Sequence, residues 1–254
     1  MSGRLAIIGT GPGNAAQTTP QARAAIAAAT DFFGYAPYLD RLDLNDRQVR
    51  HASDNREELA RARAALEMAA SGRNVAVVSG GDAGVFAMAA AVCEAIEHGP
   101  MEWRALDLEI IPGITAMLAV AARGGAPLGH DFCAISLSDN LKPWELIEER
   151  LTAAAGAGFV IALYNPISRA RPWQLGRALE LLRGILPAST PIVFGRAAGR
   201  ADERMAIVPL ENARSDMADM ATCVIIGSPE TRVIERAGLP PLVYAPRFSE
   251  RPEK

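Results

Sequence analysis

Three glycine-bearing segments could let a ligand, or another backbone, approach the main chain closely. They are Gly9-Thr10-Gly11-Pro12-Gly13-Asn14, Ser79-Gly80-Gly81-Asp82-Ala83-Gly84-Val85-Phe86 and Ile111-Pro112-Gly113-Ile114-Thr115-Ala116. Each comes at or just after a short apolar run, and ligands of open α/β sheets bind beyond the carboxyl ends of such strands. The first segment invites a dinucleotide reading, but its third glycine comes one position early for G-x-G-x-x-G. Pro12 also lacks the N–H a phosphate would use, and Asp31 opens an apparent second strand where a ribose-binding acid would close it. Asp82 reads either as a ligand contact or as a cap on the next helix, and Thr115 as a helix cap. Cys93, Cys133 and Cys223 are far apart and form no CxxC or Cys/His cluster. That argues against a disulfide framework or a metal site and for a reducing compartment.

The elements around these loops alternate. Short apolar runs at 5–8, 74–78 and 108–111 predict strands buried on both faces. Alanine-rich segments at helical period fill 21–29, 57–70 and 83–97; Ser53 and Asn55 offer caps for the second, and Glu57 and Glu58 suit its first turn. This predicts an α/β first half with a mainly parallel sheet. Three glycines and a proline at 123–129 break the pattern, which puts a domain boundary there: 1–122, 123–246 and a polar tail at 247–254. Beyond it, strands are expected at 132–137, 159–164, 192–194, 205–208 and 223–226, and helices at 144–155 and 173–186. The second half is thus also α/β, with room for antiparallel pairing.

The 254 residues are 50% hydrophobic and 22% charged, with formal net charge -3. That composition suits two cored domains and lacks the basic excess of a nucleic-acid binder. No apolar stretch has the length of a membrane span or a signal peptide's apolar region, so no membrane partner and a cytoplasmic protein are expected.

Taken together and in order, GTGPG, SGGDAGVF and PGITA resemble the class III, tetrapyrrole (corrin/porphyrin) methylase family. The resemblance continues through Leu163-Tyr164-Asn165-Pro166, Phe194-Gly195-Arg196-Ala197 and Thr222-Cys223-Val224-Ile225-Ile226-Gly227, and so covers nearly the whole chain. Residues 129–139, GHDFCAISLSD, are most similar to the branch that methylates a corrin precursor at C17 in vitamin B12 biosynthesis.

The resemblance implies two α/β domains with the cofactor cleft between them, a homodimer, and S-adenosyl-L-methionine as methyl donor, leaving as S-adenosyl-L-homocysteine. The cofactor would meet Pro12, Gly81, Asp82, Val85, Phe86, Thr115 and Ala116 from the first domain. Tyr164, Asn165, Ala197, Thr222 and Cys223 would follow from the second. These are mostly small, apolar or neutral, as a cofactor without phosphate requires. The substrate would be a tetrapyrrole bearing many carboxylates, which calls for arginine at the pocket rim. Arg169, Arg171, Arg196 and Arg200 are the candidates, with Lys142 nearby. The C17 branch also contracts the macrocycle, which needs a base for the C20 hydroxyl proton and an acid at the ring A lactone. His130 and Asp131 are the first candidates for that proton transfer, and Ser138 and Asp139, at the far end of the same expected strand, the second. The nearest rival reading keeps the fold and changes the substrate: another class III methyltransferase, acting at C17 of a cobalt-containing precursor or at another corrin carbon. A nicotinamide oxidoreductase and a non-catalytic tetrapyrrole carrier are the rivals of another class.

Overall fold

In the computed structural model, which describes residues 3–54 and 56–248, the first-half strands form one all-parallel sheet. β1 (Arg4–Gly9), β2 (Asp31–Tyr35), β3 (Val49–Ser53), β4 (Asn74–Ser79) and β5 (Asp107–Ile111) lie in the order β3-β2-β4-β1-β5. Alternate side chains serve two cores. Ala6, Ile8, Phe32, Ala76 and Val78 pack with α1 (Pro20–Ala28) and α2 (Ala36–Leu39). Leu5, Ile7, Phe33, Val75 and Val77 pack with α3 (Glu58–Ala70) and α4 (Met88–Glu97). Burial on both faces is why the runs do not alternate with polar residues. Each large apolar side chain so buried stabilises by roughly 1.5–3 kcal/mol.

The helix starts differ in part from expectation. Thr19 caps α1, its Oγ1 accepting from Ala22 N at 3.1 Å. Glu57, at the N-cap of α3, makes no side-chain cap bond. Ser53 does not cap α3 but closes β3 and accepts from Arg61 Nε at 2.7 Å; Asn55 lies outside the described residues. α4 starts at Met88 instead of 83, because Phe86 holds a left-handed φ of 51° and breaks the helical path before it. β3 was not expected: Val-Arg-His-Ala-Ser is polar because it is an edge strand.

The chain divides into two compact units, Met1–Ala116 and Met117–Lys254. After α5 (Ala116–Gly124) and the short β6 (Gly125–Ala126), the second unit builds a mixed sheet. Its strands are β7 (Phe132–Ser136), β8 (Val160–Tyr164), β9 (Pro191–Arg196), β10 (Arg204–Pro209) and β11 (Thr222–Ile226), ordered β10-β9-β11-β8-β7. β7 and β8 are parallel, while β11 runs antiparallel to both β8 and β9. Ile135, Leu137, Ile161, Leu163, Ile192 and Phe194 face α6 (Trp144–Gly156) and α7 (Gln174–Arg183). On β9, Gly195 leaves room for α5: a Cβ there would sit 2.3 Å from Val120 Cγ2. A hairpin of β12 (Arg232–Arg236) and β13 (Leu239–Tyr244) pairs with β6.

Candidate functional site

All five strands of the first sheet point the same way, so their carboxyl ends share one edge. β1 and β4 are neighbours there, yet the chain leaves β1 for the α1 face and β4 for the α4 face. That is a topological switch point, where open α/β sheets bind ligands. The loops meet through main chain. Gly11 N donates to Gly81 O at 3.0 Å, Gly81 N to Gly11 O at 2.7 Å, and Thr10 N to Ser79 O at 3.0 Å. Gly113 closes the third side: a Cβ on it would lie 2.2 Å from Gly81 O and 2.6 Å from Gly9 O.

Asp82 does not cap a helix. Its Oδ1 accepts from Gly84 N at 2.8 Å and its Oδ2 from Gly113 N at 2.9 Å, so one carboxylate ties the second loop to the third. With the Thr10, Gly11 and Gly81 amides already paired, the first turn has few N–H groups for a pyrophosphate. Thr115 is buried; Pro12, Gly81, Val85 and Ala116 are half-buried. Phe86 is 49% exposed in its left-handed conformation, an apolar ring held out at the edge.

In the second unit, the register Thr222↔Arg196 and Val224↔Leu163 gathers the end of β8, the end of β9 and the start of β11. Tyr164, Asn165, Arg196, Ala197, Thr222 and Cys223 therefore share one end of the sheet. Tyr164 Oη accepts from Met117 N at 3.0 Å, and Asn165 Nδ2 donates to Ser136 Oγ at 2.9 Å. Ala197 N donates to Ala221 O at 2.9 Å, and Thr222 Oγ1 to Asp219 Oδ1 at 2.8 Å. Cys223 is buried, and burial pushes its thiol up to about 12, so no thiolate stands there near neutral pH. Among the described residues, three non-glycine residues have positive φ: Phe86 (51°), Asn165 (50°) and Ala197 (51°). All three belong to the cofactor set that the resemblance implied. Such strain costs of order 1–3 kcal/mol a residue and collects at ligand clamps.

The four arginines divide. Arg169 is exposed at the tip of a turn closed by Ser168 and Arg171, whose main chains exchange two bonds of 3.0 Å. Arg200 sits in the loop after β9, its N donating to Ala197 O at 3.0 Å. Arg171 is largely buried, with Nη1 donating to Leu137 O at 3.4 Å and Nε 4.0 Å from Asp139. Arg196 is held by Asp202 and Asp219, both at 2.7 Å. For Lys142, burial and then Arg150 lower the ammonium's pKa.

His130 and Asp131 precede β7, whose other end lies beside Tyr164. They line a surface cavity with Gly158, Phe159, Ser228 and Glu230, at the opposite end of the sheet from Asn165 and Ala197. Ser138 and Asp139 follow the near end, where Leu137 N donates to Tyr164 O at 2.9 Å. Asp139 accepts from Gln174 Nε2 at 3.1 and 3.2 Å.

The sequence model of the tetrapyrrole (corrin/porphyrin) methylases matches residues 4–214. The chain belongs to the tetrapyrrole methylase family. It is 70% identical to a precorrin-3B C(17)-methyltransferase from Sinorhizobium sp over 98% of both chains. It is 41% identical to a probable cobalt-factor III C(17)-methyltransferase from Salmonella typhimurium, over 94% of this chain and 99% of that one. The crystal structure of the methyltransferase CobJ superposes with a TM-score of 0.91 at 50% identity, covering 96% of this chain and all of that one. As a tetrapyrrole methylase, the chain has a charged residue at its second edge that sequence reading passed over: Asp219, which accepts from Arg196, Ala221 and Thr222. Its signal was Asp-x-x-Thr just before a strand, the spacing of a side-chain-closed turn.

Proposed function

We propose that this tetrapyrrole methylase transfers a methyl group from S-adenosyl-L-methionine to C17 of precorrin-3B and contracts the ring to precorrin-4. The observation that carries the cofactor assignment is the coincidence of the three left-handed residues with the loops assigned to it. The two relatives support the substrate: 70% identity to the one named for precorrin-3B stands against 41% to the one named for cobalt-factor III.

The donor set fits the cofactor. Apart from Asp82, which is already committed to two amides, it is small, apolar or neutral, as suits a ligand that carries no phosphate. The bound cofactor supplies a sulfonium methyl group that a carbon nucleophile can take. The protein's part is to hold C17 in line with it and exclude water, which can be worth ~7–11 kcal/mol. The first unit would contribute Pro12, Gly81, Val85, Phe86, Thr115 and Ala116; the second would contribute Tyr164, Asn165, Ala197, Thr222 and the Cys223 main chain. Arg169 and Arg200 would meet substrate carboxylates. Asp139 is favoured over His130 and Asp131 for proton transfer in the contraction, since it stands at the Asn165 end. Asp139→Asn should leave S-adenosylhomocysteine binding intact and slow contraction about a hundredfold.

The chain would act in the cytoplasm as a homodimer; among the described residues no helix is long and apolar enough to cross a membrane. Sedimentation tests the dimer. The cofactor test is calorimetric titration with S-adenosylhomocysteine and, in parallel, NADPH. Saturable binding of the first alone, near micromolar, is expected. Binding of NADPH instead, or of neither, removes the assignment.

A further inference from the structure

Arg196 ends β9 with its guanidinium turned onto its own unit. Nε donates to Asp219 Oδ2 at 2.7 Å; Nη1 donates to Asp202 Oδ2 at 2.7 Å and to Asp202 O at 3.1 Å. The other Asp219 oxygen accepts from Ala221 N at 2.9 Å and Thr222 Oγ1 at 2.8 Å. Ala221 O accepts from Ala197 N at 2.9 Å, which closes a circuit around left-handed Ala197. A second ion pair braces the far side of the loop: Glu203 accepts from Arg123 Nε at 2.7 Å and from Gly199 N at 2.5 Å. A left-handed alanine persists only where its surroundings over-determine it, and this circuit does so.

With Nε and Nη1 committed, Arg196 could grip a carboxylate bidentately only by displacing Asp202 or Asp219. We propose that Arg196 is a positioning residue, which shapes the main chain of Ala197 and Thr222 toward the cofactor and does not bind substrate carboxylates. This rests on the S-adenosylmethionine reading above. The electrostatics agree: hydrogen bonds to Asp202 and Asp219 raise the Arg196 pKa, and the Arg196 bond lowers that of Asp202.

The test titrates the full chain calorimetrically with S-adenosylhomocysteine and, separately, with precorrin-3B, for wild type, Arg196→Gln, Asp219→Asn and the double variant. Arg196→Gln should weaken S-adenosylhomocysteine about tenfold and leave precorrin-3B within about twofold. Asp219→Asn keeps the arginine and should weaken the same ligand in the same direction. The double variant should lose little more than the worse single one, since all the groups act in one circuit. The proposal is overturned if precorrin-3B binding falls while S-adenosylhomocysteine binding holds, if both fall equally, or if neither changes. Should Arg196→Gln fail to fold, Asp219→Asn decides by the same readings. Wild type that binds no S-adenosylhomocysteine would remove the cofactor reading itself, a distinguishable failure.

Discussion

The two sheet edges shape their main chain by different means. In the first unit the loops after β1, β4 and β5 are pressed together until only glycine fits, and one carboxylate, Asp82, pins the contact. In the second, the loops after β9 and before β11 are held by charge: Arg196 between Asp202 and Asp219, and Arg123 with Glu203. Close packing tolerates no added atom. A charged brace tolerates changes of size but depends on ionisation and is screened by solvent. Both edges carry non-glycine residues in the left-handed region: Phe86 in the first unit, Asn165 and Ala197 in the second.

The sharpest way to break this comparison is to add one carbon at the first edge. In Gly113→Ala the new Cβ would fall 2.2 Å from Gly81 O, a main-chain atom that cannot rotate away. We expect a loss of about 3 kcal/mol in urea unfolding, with S-adenosylhomocysteine binding lost as well. A well-folded variant with near-normal affinity would show that the edge is pliable. Next in size is Asp82→Ala, which leaves Gly84 N and Gly113 N without their acceptor. Bonds to a charged acceptor contribute roughly 1.5–3 kcal/mol each; because Asp82 is part-exposed and water can replace it, a loss of about 2 kcal/mol is expected in the same measurement.

How much of this was legible in the sequence differs between the edges for the same reason. Glycine and proline after apolar runs announce close main-chain approach, so the meeting of the loops at the first edge could be read directly. The charged brace could not. Arg196, Asp202 and Asp219 are ordinary surface residue types, and only the antiparallel register of β9 with β10 and β11 brings them together. Arg196 therefore read as a substrate contact. The strands buried on both faces were legible because packing demands continuous apolar runs. Polar β3 and the exposed β12–β13 hairpin carry no such demand and went unseen. That His130 and Asp139 lie at opposite ends of one strand was legible; which end shares the sheet edge with Asn165 and Ala197 was not, because it depends on the pairing of β7 with β8 and of β8 with β11.

A smaller effect sharpens the contrast through pH. Burial alone would raise the Asp219 carboxyl, but hydrogen bonds from Arg196, Thr222 and Ala221 outweigh it and hold its pKa below the ordinary value. A carboxylate whose folded pKa is lowered stabilises the fold above its unfolded pKa, near 3.9, and that contribution is lost as pH falls through the folded value. Asp219→Asn should therefore be less stable than wild type at pH 7. The gap should be about 1 kcal/mol or less, because the side chain is 47% exposed. It should close progressively below about pH 4. Urea titrations of both proteins from pH 3 to 7 measure the gap. A gap that stays constant with pH would mean that the brace does not depend on the Asp219 charge.

The smallest expected effect lies at the other end of the second sheet. Asp131 is 80% exposed, its N bonds only to neighbouring His130 Nδ1 at 2.7 Å, and its O accepts from Val160 N at 3.1 Å. Neither residue has left-handed backbone or a buried ionic partner. β7 separates the pair from the Asn165 end by five residues, about 16 Å of strand. An acid or base must come within about 3 Å of the proton it moves, or one water further. If the reacting atoms of the substrate are held at the Asn165 end, as proposed above, the His130 end is out of reach of them. His130→Ala should keep both methylation and ring contraction within about threefold of wild type, where Asp139→Asn should lose the contraction by about a hundredfold. The two products, methylated with and without contraction, separate the steps in one assay. If His130→Ala instead abolished contraction and left methylation intact, the chemistry would belong to the His130 end, and the assignment of Asp139 would fall with it.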